Sequence, residues 1–155
     1  MQLHLLAVGK LRPAYREACD DYLRRLRRVV PVTEREVREA GRAGSVARQR
    51  DEEGKRLLEA LPEQADAVLL DLEGNAWSSE ALATELQQWR ERGRDVAFLI
   101  GGAVGVSTAV TQRAALRWSL GPLTLPHELA RVVVTEQLYR ATTILRGEPY
   151  HKGAR

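Results

Sequence analysis

What the chain lacks narrows it first. Cys19 is the only cysteine among 155 residues, so no disulfide can close within the chain and no cysteine-built zinc cluster can form. No metal is expected, a reducing cytoplasm fits as the compartment, and Cys19 itself reads as inert core. No apolar run approaches the ~20 residues that a membrane-spanning helix needs, so no membrane partner is expected. The opening MQLHLLAVGK has neither the basic start nor the small-residue cleavage site of a signal peptide and reads as a first strand. Internal repeats, heptads and low-complexity stretches are missing as well. That leaves residues 1–155 as one domain, large enough to fold unaided and, at 44% hydrophobic and 29% charged residues, too apolar for disorder. Lysine is scarce, occurring only at Lys10, Lys55 and Lys152, so the net charge of +3 rests on arginine.

Two arginine clusters stand out, YLRRLRR (22–28) and RAGSVARQR (42–50). Each is dense enough to hold RNA phosphates, and each is equally well explained as a solvated face. A charge of this size permits a polyanionic partner without requiring one.

What is present alternates. LHLLAVG (3–9) is a strand closing on a glycine turn, and residues 13–28 follow at helical spacing with Pro13 in the first turn. Residues 31–37 alternate like a half-exposed strand. A glycine-rich loop (40–45) leads into a helix opened by Ser45 and stopped near Pro62. DAVLLDLEG (66–74) and DVAFLIGG (95–102) are apolar strands ending in glycine. The helix between them is capped by Ser78 or Ser79 and ends at Gly93. Residues 107–117 read as a helix capped by Ser107 or Thr108. Residues 118–126 read as a short strand with an irregular loop, and 127–146 as a last helix ended by Gly147 and Pro149. Strands that are apolar on both faces and alternate with helices specify an α/β fold, a mostly parallel sheet covered by helices on both faces.

The stretch FLIGGAVGV (98–106) raises the question of a phosphate loop. Its G-G-x-x-G spacing is not the dinucleotide pattern, it follows a late strand, and no acidic partner comes ~20 residues on. Val106 also stands where a P-loop needs lysine, so phosphate binding is disfavoured. Open α/β sheets nevertheless bind ligands beyond the carboxyl ends of their strands, and LLDLEG and FLIGG mark two such ends. The apolar segment SLGPLTLP (119–126) is a third loop, whose amides suit the edge of a heterocycle and whose leucines suit its face. Spacing alone leaves each of these open between a ligand loop and a structural turn.

Taken in order, LLAVGKLR, YLRRLRR, LLDLEG, FLIGGAVG, LTLPHELARVVVTEQLYRA and RGEPYHKG resemble the small bacterial large-subunit rRNA methyltransferase H family, the pseudouridine N3-methyltransferases of the SPOUT class. The resemblance runs from residue 1 to about residue 152. It implies a C-terminal trefoil knot and S-adenosylmethionine as cofactor, held by Leu70, Gly102 and the loop Gly121, Pro122, Leu123, Thr124, Leu125 and Pro126. On this reading Gly102 keeps a side chain out of the cofactor's space. The resemblance also implies a homodimer with the last helices across the interface, and large-subunit rRNA in the assembled ribosome as substrate. A last helix that is apolar on more than one face agrees with burial against a partner. His127, Arg131, Arg140, Tyr150 and His151 are the polar candidates in this region. Arg131 and Arg140 suit salt bridges to Glu128 or Glu136 equally well. The resemblance favours Arg140, Tyr150 and His151 as catalytic, with Tyr150 stacking on a base and His151 near N3. One departure is that Ala103-Val104 stand where the Escherichia-type pattern has proline and glutamate, which removes any acidic role there. A SPOUT methyltransferase of another RNA nucleoside, or a non-enzymatic ribosome-associated α/β protein, are the other readings.

Overall fold

Strands and helices alternate along the whole chain: β1 (Leu3–Val8), α1 (Pro13–Arg27), β2 (Val32–Val37), α2 (Val46–Ala60), β3 (Asp66–Asn75), α3 (Ser79–Glu91), β4 (Val96–Ile100), α4 (Thr108–Arg113), β5 (Leu116–Trp118) and α5 (His127–Leu145). A 3₁₀ turn, Pro149–Gly153, follows. This computed structural model describes residues 1–153. The last two residues of the expected domain, 154 and 155, lie outside the described residues.

The strands form one parallel sheet in the order β2-β1-β4-β3-β5. Because successive side chains on a strand point to opposite faces, a continuously apolar strand needs cover on both. Leu3, Leu5, Ala7, Phe98 and Ile100 pack toward α1, α3 and α5, where they meet Cys19, Leu23, Leu86, Trp89, Val134 and Leu138. Leu6, Val8, Leu69 and Leu99 pack the other way, against Leu57 of α2 and Val110 of α4. The sole phenylalanine and all three tryptophans converge on the first face, with ring centroids 5.9–6.3 Å apart for Phe98–Trp118 and Trp77–Trp89 at the two extremes. Cys19 is fully buried there and burial pushes its thiol pKa up, consistent with inert core. Among the described residues no helix is long and apolar enough to cross a membrane.

The expected serine caps are in place. Ser45, Ser78 and Ser107 accept from the amides of Arg48, Ala81 and Val110 at 3.1, 3.0 and 3.4 Å, each cap contributing about 1 kcal/mol. One expected helix is shorter than residues 107–117. It stops at Arg113 because the Ala115 amide donates to the Ala67 carbonyl at 2.8 Å and so begins the pairing of β5 with β3. β3 in turn carries a bulge: Leu70 and Asn75 both stand opposite Trp118, so residues 71–74 leave the ladder. Gly74 allows the strands to approach, since a Cβ there would lie 2.5 Å from the Arg117 carbonyl carbon.

α5 is pinned to the carboxyl edge of the sheet by Arg131, which is 1% exposed. Its guanidinium binds Glu36, lies 3.6 Å from Glu34, and donates to the Gly9 carbonyl at 2.8 Å. These partners are on β2 and at the end of β1, not the Glu128 of its own helix that local spacing suggests. Glu128 instead accepts from the amide and Nε of Arg12, at 2.7 and 2.9 Å.

Candidate active site

The ends of β3, β4 and β5 open together into a cavity of about 430 Å³. β3 supplies Leu70 and, from its bulge, Asp71 and Leu72. β4 supplies Ile100 and the turn that follows it, Gly101, Gly102, Gly105 and Val106. The loop after β5 supplies Leu120, Gly121, Leu123, Thr124 and Leu125, and α5 begins against it with His127 and Ala130. The walls are aliphatic side chains and backbone. Asp71, the only carboxylate among the lining residues, is engaged by Arg117 at 3.3 Å and by the Glu73 amide at 3.0 Å.

Two turns shape the walls. The Gly105 amide donates to the Gly102 carbonyl at 3.2 Å, and Gly105 has φ +82, a conformation that favours glycine. In the third loop Ser119 Oγ accepts from the Gly121 amide at 3.1 Å and donates to the Gly121 carbonyl at 3.2 Å, holding Gly121 at φ +111.

Of the cofactor residues expected from the sequence, Leu70, Gly102, Gly121, Leu123, Thr124 and Leu125 line this cavity. Pro122 and Pro126 do not: Pro122 is exposed and Pro126 precedes the first residue of α5. A Cβ at Gly102 would lie 3.0 Å from Val8 Cγ1 and 3.5 Å from Glu53 Oε1, so the absent side chain makes room for β1 and α2, and the residue also contributes to the cavity wall. Gly102→Val is therefore expected to destabilise the fold itself, by about 1–3 kcal/mol of overpacking. Thermal unfolding at fixed protein concentration checks this, and an unchanged midpoint would mean that the wall yields freely.

Asp71, Leu72, Ile100, Gly101, Gly105, Val106 and Leu120 also line the cavity. Sequence reasoning does not single them out as cofactor contacts, but they lie within the LLDLEG, FLIGGAVGV and SLGPLTLP stretches that the sequence marks, whereas Thr111 and Ala130 lie outside them. Only the packing of α4 and α5 brings those two in.

The proposed catalytic residues stand together, but not at this cavity. Arg140 donates through Nε to Glu136 Oε1 at 2.9 Å, and its guanidinium lies 4.9 Å from the centre of the Tyr150 ring. The Tyr150 hydroxyl donates to the same Glu136 oxygen at 3.0 Å, and its ring meets Tyr139 edge-on at 4.9 Å. Burial, and then the charge of Glu136, push the phenol far above its ordinary pKa, so it remains protonated and is a donor rather than a base. His151 Nδ1 is buried with no hydrogen-bond partner among the described residues. Residues Pro149–Gly153 thus form a 3₁₀ turn packed on α5. Arg140 lies ten residues beyond the cavity residue Ala130 on α5, about 15 Å along the helix axis at 1.5 Å per residue. Within one chain the two halves of the expected site remain apart.

Residues 1–151 match the family model described as "Predicted SPOUT methyltransferase". The chain is 47% identical over 153 residues to the ribosomal RNA large subunit methyltransferase H of Anaeromyxobacter sp., covering 98% of this chain and 100% of that protein. It is 43% identical over 155 residues to the protein of that name from Xanthomonas euvesicatoria, with 98% and 99% covered, and 44% identical to that of Methylococcus capsulatus, with 98% and 100% covered. In fold it is similar to a Legionella pneumophila protein solved in complex with SAM, at a TM-score of 0.52 and 15% identity, covering 91% of this chain and 66% of that one. A methylase-family protein of Neisseria gonorrhoeae is similar at a TM-score of 0.52 and 17% identity, over 88% and 81%.

Proposed function

The chain belongs to the SPOUT methyltransferases, among the ribosomal RNA large subunit methyltransferase H proteins, and from that premise we propose that it transfers a methyl group from S-adenosylmethionine to N3 of a pseudouridine in the intersubunit-bridge hairpin of 23S rRNA, on the assembled ribosome. The observation that carries the reading is the cavity at three strand ends, walled by backbone and leucine, in a chain of this family. At about 430 Å³ it falls within the ~300–1,000 Å³ of small-ligand sites. Its glycine backbone suits the edge of an adenine, and its leucines suit the ring face. Leu70, Gly102, Gly121 and the residues Leu123, Thr124 and Leu125 are the proposed cofactor contacts. When bound, S-adenosylmethionine supplies a methyl group activated by a positively charged sulfur.

The rest falls to this chain's own residues. Pseudouridine N3 is an imide nitrogen between two carbonyls and becomes nucleophilic only on losing its proton. Arg140 beside the pyrimidine would favour the anionic form. Tyr150 would stack on the base with its phenol as a donor, which leaves His151 to take the proton, a contribution of roughly 10²–10⁴-fold. Holding the base in place adds several kcal/mol more. Since Arg140 on α5, and Tyr150 and His151 in the turn after it, are not among the residues lining the cavity, the reading requires a homodimer in which one protomer's tail reaches the other's cavity. Leu123 and Leu129, 74% and 36% exposed beside that cavity, are apolar surface for a partner to cover. The trefoil knot belongs to the same reading.

Mass mapping of 23S rRNA from a deletion strain tests it. Loss of one methyl group, on the bridge-hairpin pseudouridine, is the expected result. If that methyl persists and another disappears, the enzyme acts on a different nucleoside. Calorimetric titration with S-adenosylmethionine addresses the non-enzymatic alternative, which an absence of binding would favour.

A further inference from the structure

The proposed mechanism leaves the second arginine cluster unused. Residues 41–45 join β2 to α2 at the carboxyl edge of the sheet, the edge where the cavity opens. A Cβ added to Gly41 or Gly44 would meet nothing within 4 Å, and Gly44 stands at φ +91, so the loop is open to solvent rather than packed. Together with α2 it bounds a polar concavity of about 700 Å³ whose lining includes Arg42, Arg48 and Arg56.

The acids here do not cancel these charges. Arg42 has no carboxylate partner among the described residues. Glu52 is divided between Arg48 at 3.6 Å and Arg56 at 3.9 Å, exposed pairs of a kind worth about 0–1 kcal/mol. Glu39, the other acid lining the concavity, has its Oε1 against Gly9, 2.4 Å from the position of an added Cβ, so three arginines stand against two acids. α2 starts at Ser45 with no acidic residue in its first turn, so the positive end of a 15-residue helix adds to the same field.

Two contacts place this concavity beside the cavity. Glu53, 2% exposed, accepts from the Ala40 amide at 2.9 Å and from Gln49 at 3.1 Å through Oε2. Its Oε1, without a hydrogen-bond partner among the described residues, lies 3.5 Å from the position of a Gly102 Cβ. One carboxylate therefore spans from the start of the loop to the cavity wall. Arg50 donates through Nε to the Val104 carbonyl in the same turn and pairs with no carboxylate among the described residues. The other cluster differs. Asp21 holds Arg24 at 3.6 Å and Arg25 at 3.1 Å, and Arg27 donates to the Val32 carbonyl at 3.2 Å, at the amino edge of the sheet.

We propose that Arg42, Arg48 and Arg50 seat backbone phosphates of the rRNA that flank the nucleotide presented to the cavity. The proposal rests on the rRNA methyltransferase reading. Guanidinium forks match phosphate oxygens, and Arg50 and Glu53 hold this loop and α2 against the turn that walls the cavity.

The test is equilibrium binding of the full chain to ribosomes from the deletion strain across a series of monovalent salt concentrations. Arg42→Ala/Arg48→Ala is compared with wild type and with Arg90→Ala/Arg92→Ala, which removes the same charge near the end of α3. Arg50 is left in place because it also holds Val104. The loop variant is expected to bind about tenfold more weakly and to lose about 2 from the slope of log K against log salt, one for each arginine. The control keeps wild-type behaviour, and both variants keep the wild-type unfolding midpoint and S-adenosylmethionine affinity. Wild-type affinity and slope in the loop variant, or an equal loss in the control, would overturn the proposal. Methylation of deletion-strain ribosomes by the wild-type chain separately reports on the functional reading: ribosomes left unmethylated would sink that reading, whereas unchanged salt slopes count only against the phosphate seat.

Discussion

Ending the chain at Gly147 is expected to reduce methyl transfer by at least ~10²-fold while leaving S-adenosylmethionine affinity unchanged. The truncation removes Tyr150 and His151 and strips Arg140 of the ring beneath its guanidinium. It touches none of the cavity lining, which ends at Ala130. Single-turnover methylation of deletion-strain ribosomes, with calorimetry for the cofactor, separates the two effects. A truncated chain with full activity would remove the tail from the mechanism. A chain that lost cofactor binding as well would mean that the tail supports a cavity, its own or the partner's.

The second large effect concerns stability. Arg131→Ala is expected to destabilise the fold by about 3–5 kcal/mol, the range for removing one partner of a buried ion pair. Glu34 retains Arg16, whose two terminal nitrogens each bond it at 2.6 Å, but Glu36 and the Gly9 carbonyl lose their guanidinium partner. Denaturant unfolding at fixed protein concentration measures the loss, and a change below ~1 kcal/mol would show that water or a neighbour replaces the guanidinium. Cofactor affinity should fall in the same variant, since the first turn of α5, with His127 and Ala130, loses the anchor that holds it to the sheet.

Much of this architecture was legible because it is local or periodic. The apolar strands, the glycines at their ends and the serines before helices are short-range signals, and all three serine caps appear where one is expected. What was not legible depends on which elements meet. Residues 114–117 read as helix until β3 offers them a strand partner. Arg131 has one acidic neighbour at helical spacing, Glu128, yet the carboxylates that satisfy it come from β2, some hundred positions away in sequence. The direction in which Gly102 lacks a side chain depends on Val8 and Glu53, which no pattern around residue 102 announces. The candidate site divides the same way. Six of the eight expected cofactor positions line one cavity, because strand ends and glycines mark such places. The separation of Arg140, Tyr150 and His151 from that cavity is set by the length and direction of α5.

The three-walled cavity also constrains the order in which the molecule comes into being. β5 joins the sheet by pairing with β3, through contacts such as the Ala115 amide to the Ala67 carbonyl and the Ser119 amide to the Asn75 carbonyl. It therefore has no place to dock until β3 has formed. A growing polypeptide has no cofactor pocket until the segment through Leu125 has emerged, and pairings of such long sequence separation are the slow ones in folding. The capacity to bind the cofactor therefore depends on segments from Leu70 to Ala130 being in place together.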